Sequence, residues 1–199
     1  AMLARLIAFP QKTSANGGSS PRKLADILSL LNRVSAVADD AALLRATALE
    51  QVFEEVCTFT GWPIGHLYAQ DGDDSPQYIS DKVWRLDPEL DPTAIAEFMK
   101  LSEDTVFERG KGLIGIIAET REARAVEDVT VLTQFLRADA AGRNDVRGFF
   151  GFPVLLDGEC VAVAEFYGRQ AGLLDETSLE IMTYVSSQLA RIFERERFE

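Results

Sequence analysis

The pattern of hydrophobic and polar positions predicts two helices before any strand. The first helix carries apolar residues in steps of three and four, which places them on one face: Leu24, Ile27, Leu28, Leu31, Val34 and Val37. Ser20 followed by Pro21 is typical of a helix N-cap with proline at the first helical position. Asp39 and Asp40 interrupt the pattern, and a second apolar series follows up to Gly61. We therefore predict two leading helices over about residues 23–60.

The next part of the chain has the pattern of short strands and short helices. Residues 64–70 and 77–86 are predicted strands, separated by a segment rich in turn-forming residues. Asp91-Pro92 predicts the start of a helix, and Gly110-Lys-Gly112 precedes a short apolar helix. Residues 130–145 are polar and are predicted to be partly helical.

The end of the chain predicts a hairpin and a long helix. Two apolar runs, residues 147–156 and 159–168, are joined by Asp157-Gly158, a strong hairpin signal. The final helix, over about residues 175–198, carries a seam that approximates a heptad repeat: Leu179, Met182, Val185, Leu189 and Ile192. We expect this seam to continue beyond the body of the domain, so that a second copy of the chain covers it.

Composition, charge and cysteine spacing indicate the domain organisation, the excluded partners and the compartment. Residues 1–22 are predicted to be a flexible N-terminal tail, because Gly, Ser and Asn dominate residues 11–22 and no apolar face is present. The remaining residues, 23–199, are predicted to form one domain. A formal net charge of −12 disfavours nucleic acid and anionic membrane surfaces as partners. Cys57 and Cys160 are isolated cysteines without a metal or disulfide spacing, which indicates a reducing cytoplasm.

Several short motifs occur in an order that resembles a known family. They are Gly61-Trp-Pro-Ile-Gly-His-Leu-Tyr68, Arg109-Gly-Lys-Gly-Leu-Ile-Gly115 with Ala118-Glu-Thr-Arg-Glu122 and Ala125-Val-Glu-Asp-Val129 after it, Gly151-Phe-Pro-Val154, and Ala162-Val-Ala-Glu-Phe-Tyr167. Together with the order of helices and strands, they resemble a GAF domain of the kind found in bacterial sensor histidine kinases and other multidomain signalling proteins. The resemblance covers roughly residues 24 to 198.

The resemblance implies both a fold and a class of function. The fold is α+β and GAF-like (PAS-related), with a central antiparallel sheet of about six strands. The terminal helices lie on one face of this sheet, and short helices and loops cover a pocket on the other. The function is that of a cytoplasmic regulatory sensor that binds an unidentified small molecule or relays a signal through dimerising terminal helices. We expect a homodimer, an output domain elsewhere in a longer protein such as a two-component kinase, no cofactor, and no enzymatic activity of the isolated domain.

The resemblance also indicates candidate pocket residues. The candidates lie in the segments that surround the family's pocket, and they are six aromatic residues, one histidine and one isoleucine. They are His66, Trp84, Phe98, Phe107, Ile114, Phe135, Phe150 and Phe152. His66 is the only histidine, and we favour a place in the pocket wall over haem ligation. Glu165 interrupts an apolar strand and needs a partner if it is buried. Gly110, Gly112 and Gly115 fit a helix start and close packing better than a phosphate loop.

Other activities of the family find less support in the residues. Gly168-Arg169 stands where cyclic-nucleotide-binding GAF domains carry Asn-Lys, although Asp175-Glu176 is present and also serves as a helix cap. Free-methionine-sulfoxide reductases need a set of cysteines that two isolated cysteines do not reproduce. Bilin attachment needs a cysteine before the last hairpin, and residues 130–147 contain none. A purely structural dimerisation module, with its pocket filled by its own side chains, remains the main alternative.

Overall fold

The structure is a computed structural model that describes residues 6–8 and 21–197, with side chains described from residue 24 onwards. The strands are β1 (Leu6–Ala8), β2 (Ile64–Gln70), β3 (Gln77–Leu86), β4 (Phe107–Glu108), β5 (Arg124–Val126), β6 (Phe149–Leu156) and β7 (Glu159–Tyr167). The α-helices are α1 (Pro21–Asp39), α2 (Arg45–Thr60), α3 (Ala96–Asp104), α4 (Gly112–Thr120), α5 (Ala138–Arg143) and α6 (Glu176–Arg197). Two 3-10 turns, Pro92–Ile95 and Val129–Val131, complete the described elements.

The strands form one antiparallel sheet in the order β1-β5-β6-β7-β2-β3-β4. The predicted α+β fold and its sheet of about six strands are confirmed, with β1 as an additional edge strand. Both β2 and β3 have the predicted bounds. The flexible tail predicted for residues 1–22 needs correction, because residues 6–8 pair with β5. The predicted cap at Ser20 lies outside the described residues.

The hairpin between β6 and β7 turns where the sequence predicts it. Asp157 and Gly158 have φ values of 51° and 78°, the positive angles that a two-residue hairpin turn requires. Both strands are buried over almost their whole length, because helices cover both faces of the sheet. This central hairpin therefore contributes side chains to two separate cores.

One face of the sheet is covered by α1, α2 and α6, and we call the apolar cluster between them the helix-side core. Its main sheet residues are Leu67, Val83, Phe150, Phe152, Val154, Ala162, Ala164 and Phe166. The predicted seam of α6 lies in this core, where Met182, Val185, Leu189 and Ile192 are buried within the chain itself. The expectation that these side chains need a second copy to cover them was wrong, because the sheet and the leading helices already cover them.

The other face is covered by α3, α4 and residues 127–148. We call residues 127–148 the lid segment. The apolar cluster beneath them is the lid-side core, and its members include Tyr68, Tyr78, Phe98, Phe107, Ile114, Phe135, Phe149 and Tyr167. Val129–Val131 and α5 are the only helical turns of the described lid segment. In the described part of the chain, no helix is both long enough and apolar enough to cross a membrane.

Three glycines place α4 against the sheet edge. Gly110 and Gly112 have φ values of 81° and 65°, which favour glycine. A Cβ on Gly115 would lie 2.0 Å from the backbone oxygen of Glu108. These positions agree with the interpretation of the three glycines as residues of a helix start and of close packing.

Candidate functional site

A buried ion pair lies at the centre of the lid-side face. Glu165 of β7 points towards the lid, and Arg137 comes from the lid segment just before α5. The two Arg137 Nη atoms lie 3.0 and 2.8 Å from the two Glu165 carboxylate oxygens, in a bidentate arrangement. Both side chains are buried, with at most 1% of either exposed. The polar residue that interrupts β7 therefore has the partner that its burial requires.

His66 of β2 extends this pair into a network. Its Nδ1 lies 2.8 Å from Glu165 Oε1, and its Nε2 lies 2.7 Å from Ser80 Oγ. Ser80 Oγ also accepts a hydrogen bond from the backbone N–H of Lys82, so its hydroxyl proton is free to point at Nε2. This arrangement suits a neutral imidazole that donates from Nδ1 and accepts at Nε2. The ring stacks on Trp84 at 3.8 Å between centroids.

Five aromatic rings surround the Arg137 guanidinium. Its Cζ lies between 4.8 and 5.8 Å from the ring centroids of Tyr68, Phe98, Phe107, Phe135 and Tyr167. Such distances allow cation–π attraction, which is stronger when the cation is shielded from water. We call these five rings with Glu165 the cation cage.

The remaining polar atoms of the cage are almost all satisfied. Arg137 donates to Ser102 Oγ and to the Tyr167 hydroxyl, at 2.8 and 2.9 Å. Tyr167 in turn donates to Glu165 at 2.6 Å, and Tyr68 donates to the Ser102 carbonyl at 2.7 Å. The exception is Arg137 Nε, which is buried without a hydrogen-bond partner among the described residues.

The charge states follow from burial and from these partners. Burial alone would raise the pKa of Glu165, but the charge of Arg137 and the hydrogen bonds from His66 and Arg137 lower it to about 2. Burial alone would lower the pKa of Arg137, yet the Glu165 charge holds it well above its ordinary value. Burial lowers the pKa of His66, although Glu165 opposes this shift. The cluster therefore contains one anion, one cation and a neutral histidine.

The lowered pKa of His66 predicts a loss of stability in mild acid. Below its ordinary pKa of 6.5 the imidazole binds a proton in the unfolded chain but not in the folded one. The stabilisation is therefore complete above pH 6.5 and is lost as the pH falls towards the folded pKa. For this single proton, the free energy of unfolding falls by up to about 1.4 kcal/mol per pH unit.

Urea unfolding at several pH values between about 7.5 and 5.5 measures this effect. The control is His66→Gln, because it removes the chain's only histidine and keeps a hydrogen-bonding side chain. We expect the decline with acid to be steeper in the wild-type protein than in the variant. If the free energy of unfolding depends on pH in the same way in both proteins, His66 keeps its ordinary pKa in the folded state.

A second set of polar contacts connects this cluster with the terminal helices. Beyond Ser80, β3 bulges, and Lys82 at the bulge has a φ of 57°. Asp81 at this bulge pairs with Arg45 of α2 at 3.0 Å, and Arg45 also pairs with Glu196 near the end of α6. His66 is thus hydrogen-bonded to Ser80, and the next residue, Asp81, takes part in the salt bridges that join α2 and α6.

Comparison with known proteins decides the family. A family model described as a GAF domain matches residues 43–194, which is more than half of the chain. The chain belongs to the GAF family. No curated protein matches its sequence.

Solved structures of GAF proteins have the same fold. The GAF domain of a phosphoenolpyruvate-protein phosphotransferase from Coxiella burnetii is 19% identical, with a TM-score of 0.71 over 87% of this chain and 96% of that one. A free methionine-R-sulfoxide reductase from Neisseria meningitidis, solved with its substrate, is 17% identical, with a TM-score of 0.66 over 93% and 98%. The nlh2 GAF domain of A. aeolicus is 14% identical, with a TM-score of 0.64 over 87% and 98%. At these identities the likeness shows the fold of this GAF domain.

The structure brings six of the eight candidate pocket residues together on the lid side of the GAF domain. They are His66, Trp84, Phe98, Phe107, Ile114 and Phe135. Phe150 and Phe152 lie in the helix-side core, where both stack with Phe166. Their inclusion in the pocket needs correction, because strand alternation turns them away from the lid. Phe149 and Tyr167 take the lid-side positions of the same hairpin.

Sequence reasoning missed Arg137, the residue at the centre of the cage. It lies in the polar stretch over residues 130–145, which has no periodic pattern that would orient a side chain. The available signal was Glu165, because a carboxylate inside an apolar strand calls for a buried cation. The sequence offers no means of choosing which arginine supplies it.

The two cysteines of the GAF domain lie in different cores. Cys57 is buried in the helix-side core and Cys160 in the lid-side core, and both are free thiols. Burial raises the pKa of Cys57 to about 12 and that of Cys160 to about 11. A high pKa disfavours the reactive thiolate, which agrees with the interpretation of both residues as packing residues.

Proposed function

We propose that this GAF domain is a regulatory sensor module of a signal-transduction protein. In this proposal the lid-side cage is the ligand position, and the terminal helices carry the output. The observation that supports it is the buried charged network beneath the lid, one member of which belongs to the lid itself. Catalysis by the domain is no part of this proposal.

The energetics of the network favour a functional role over simple packing. Replacing a buried ion pair by well-packed apolar side chains is often neutral or stabilising, so such a pair is weak support for a purely structural role. Arg137 Nε also has no hydrogen-bond partner in the described part of the chain, which is unusual for a buried polar atom. Buried, strongly shifted ionisable groups gather at binding sites more often than elsewhere.

The contacts beyond the network supply a route from the lid to the terminal helices. Displacing Arg137 would remove the charge that balances Glu165. The Glu165 carboxylate is also the hydrogen-bond partner of His66 Nδ1. His66 is hydrogen-bonded to Ser80, which directly precedes Asp81 and its salt bridges to Arg45 and on to Glu196. A two-state change at the cage would therefore bias the packing of α2 against α6.

Dimerisation and a cytoplasmic location belong to the same proposal. The α6 seam is buried in the chain's own core, so the contact surface would have to lie elsewhere on the terminal helices. Leu24 and Leu28 of α1 are 53% and 52% exposed and lie one turn apart. These two leucines are the side chains that we assign to a contact with a second copy.

Hydrogen exchange of the Arg137→Ala variant tests the signalling role. We expect faster exchange in the lid segment and also in α6 and the start of α2, because the loss of Arg137 perturbs the network that joins them. The control is Val129→Ala, which loosens the buried lid-side core without touching the network. It is expected to speed exchange in the lid segment alone.

The same measurement decides between the sensor and a structural module with a filled pocket. The structural alternative draws support from the way Arg137 itself occupies the space between the five rings. If exchange in the terminal helices is the same in Arg137→Ala and Val129→Ala, the lid and the helices are not coupled. The sensor proposal would then be wrong, and the structural module would be the better description.

A further inference from the structure

We infer that the space occupied by the Arg137 guanidinium is a binding site for a small organic cation of the alkylguanidinium type. Arg137 acts there as an internal stand-in for the ligand, which displaces it when the lid segment opens. This inference rests on the proposed sensor role, to which it adds the chemical class of the ligand.

The chemistry of the cage selects a planar cation. The five rings present π surfaces to one point, where they attract a positive charge and would not favour an anion. Glu165 supplies two carboxylate oxygens at 2.8 and 3.0 Å from two different nitrogens, which matches the fork of a guanidinium. Ser102 Oγ and the Tyr167 hydroxyl lie 2.8 and 2.9 Å from the same nitrogens.

The way Arg137 fits the cage marks it as replaceable. Its Nε–H is buried and has no acceptor among the residues that the structure describes, so these residues do not satisfy all of the donors of the side chain. A free alkylguanidinium is not tied to the backbone of the lid segment. It can therefore bind with its alkyl group at the position of the Arg137 Nε–H and with the remaining N–H of the same nitrogen directed out of the cage.

The lid segment that carries Arg137 is built to open more easily than the sheet beneath it. Only a 3-10 turn and the six-residue α5 are regular within residues 127–148. Val131 and Leu136 of this segment are 58% and 63% exposed, so part of its apolar surface adds little to closure. Leu136 directly precedes Arg137, so an exposed side chain is the sequence neighbour of the buried cation.

An internal stand-in lowers the apparent affinity of the wild-type protein for the ligand. An external cation reaches Glu165 only in the fraction of molecules in which Arg137 has left the cage, and the apparent Kd rises in inverse proportion to this fraction. Removing the Arg137 side chain should therefore expose the affinity of the cage itself.

The test is binding of methylguanidinium chloride to the Arg137→Ala variant, measured by isothermal titration calorimetry. Urea is the matched neutral probe, because it is planar and carries N–H groups but no charge. We expect methylguanidinium to bind Arg137→Ala at least about ten-fold more tightly than urea does, and at least about ten-fold more tightly than it binds the wild-type protein. Arg137→Ala combined with Glu165→Gln should lose this preference.

If Arg137→Ala is folded, two outcomes would overturn the inference. One is that Arg137→Ala binds methylguanidinium no more tightly than it binds urea. The other is a preference that survives Glu165→Gln, which would place the cation outside the cage. If Arg137→Ala alone is unfolded, the inference predicts that methylguanidinium, but not urea, restores its far-ultraviolet circular dichroism, and a failure of both to do so would also overturn it.

The failure of this inference is distinguishable from the failure of the sensor proposal. Binding of methylguanidinium without any change in the hydrogen exchange of α6 would leave the cation site intact and remove the signalling role. Coupled exchange in the terminal helices without cation binding would keep the sensor and remove the assigned ligand class.

Discussion

Replacing Glu165 with glutamine is expected to lower the free energy of unfolding by about 3–5 kcal/mol. The glutamine would fill nearly the same volume, but it would leave the Arg137 charge buried among aromatic rings without its counterion. It would also remove the carboxylate that accepts from His66 Nδ1 and Tyr167. Urea unfolding followed by circular dichroism measures the change.

An exposed ion pair on the same side of the domain provides the control for this prediction. Glu97 of α3 pairs with Arg143 of α5, and the two side chains are 52% and 59% exposed. Glu97→Gln removes a carboxylate in the same way but should change stability very little, since exposed pairs contribute little. If Glu165→Gln and Glu97→Gln had equal effects, the buried ion pair would not exist in the folded protein.

A double-mutant cycle separates the pair from its surroundings. Arg137→Met alone leaves the Glu165 carboxylate buried without its cation, and Glu165→Gln alone leaves the cation without its carboxylate. We expect the double variant to be less destabilised than the sum of the two single variants, because neither charge is then left buried alone. An additive result would indicate that the two side chains act independently.

Replacing Gly115 with alanine is expected to lower the free energy of unfolding by about 3 kcal/mol, at the upper end of the usual effect of overpacking. Its Cβ would lie 2.0 Å from the Glu108 oxygen and 3.2 Å from the Gly110 nitrogen, so backbone atoms must move. Gly110 N–H also donates to the Gly115 carbonyl at 2.8 Å, which ties the two segments together. Thermal unfolding of the variant reports the loss.

Gly142 offers a matched substitution in another lid-side helix. It lies in α5, and a Cβ there would meet only Thr130 Cγ2, at an ordinary contact distance of 3.8 Å. Gly142→Ala is therefore expected to raise the free energy of unfolding by about 0.4–1 kcal/mol, because alanine reduces the entropy of the unfolded chain. A Gly115→Ala variant as stable as Gly142→Ala would show that α4 does not approach β4 this closely.

The regular elements could be predicted because their signals are local. The bounds of β2 and β3 follow from runs of strand-forming residues between turn segments, and Asp157-Gly158 fixes the last hairpin through its own backbone angles. The cap of α6 is equally local, since Asp175 accepts from the Ser178 N–H at 2.7 Å. In these cases the residues that determine the structure are neighbours in the sequence.

The errors concern which surface covers an apolar face. The α6 seam needs a cover, but its periodicity is the same whether its own sheet or a second copy provides that cover. The alternation of β6 separates Phe149 from Phe150 and Phe152 correctly, yet both faces of the strand are buried, so the pattern does not tell which face meets the lid. Arg137 was missed for a related reason, because its contact with Glu165 spans 28 residues of sequence.

The sensor proposal and the assigned cation site both require the guanidinium of Arg137 to lie inside the cage and not in solvent. Two-dimensional ¹H–¹⁵N spectra of arginine side chains at neutral pH report this, and Arg137→Lys assigns the signal. We predict a guanidinium with separate, slowly exchanging Nη protons that is absent in the variant, because both Nη groups donate to Glu165. If the signal that disappears is averaged and exchanges rapidly with water, Arg137 is solvated, and the proposed ligand position has no internal occupant.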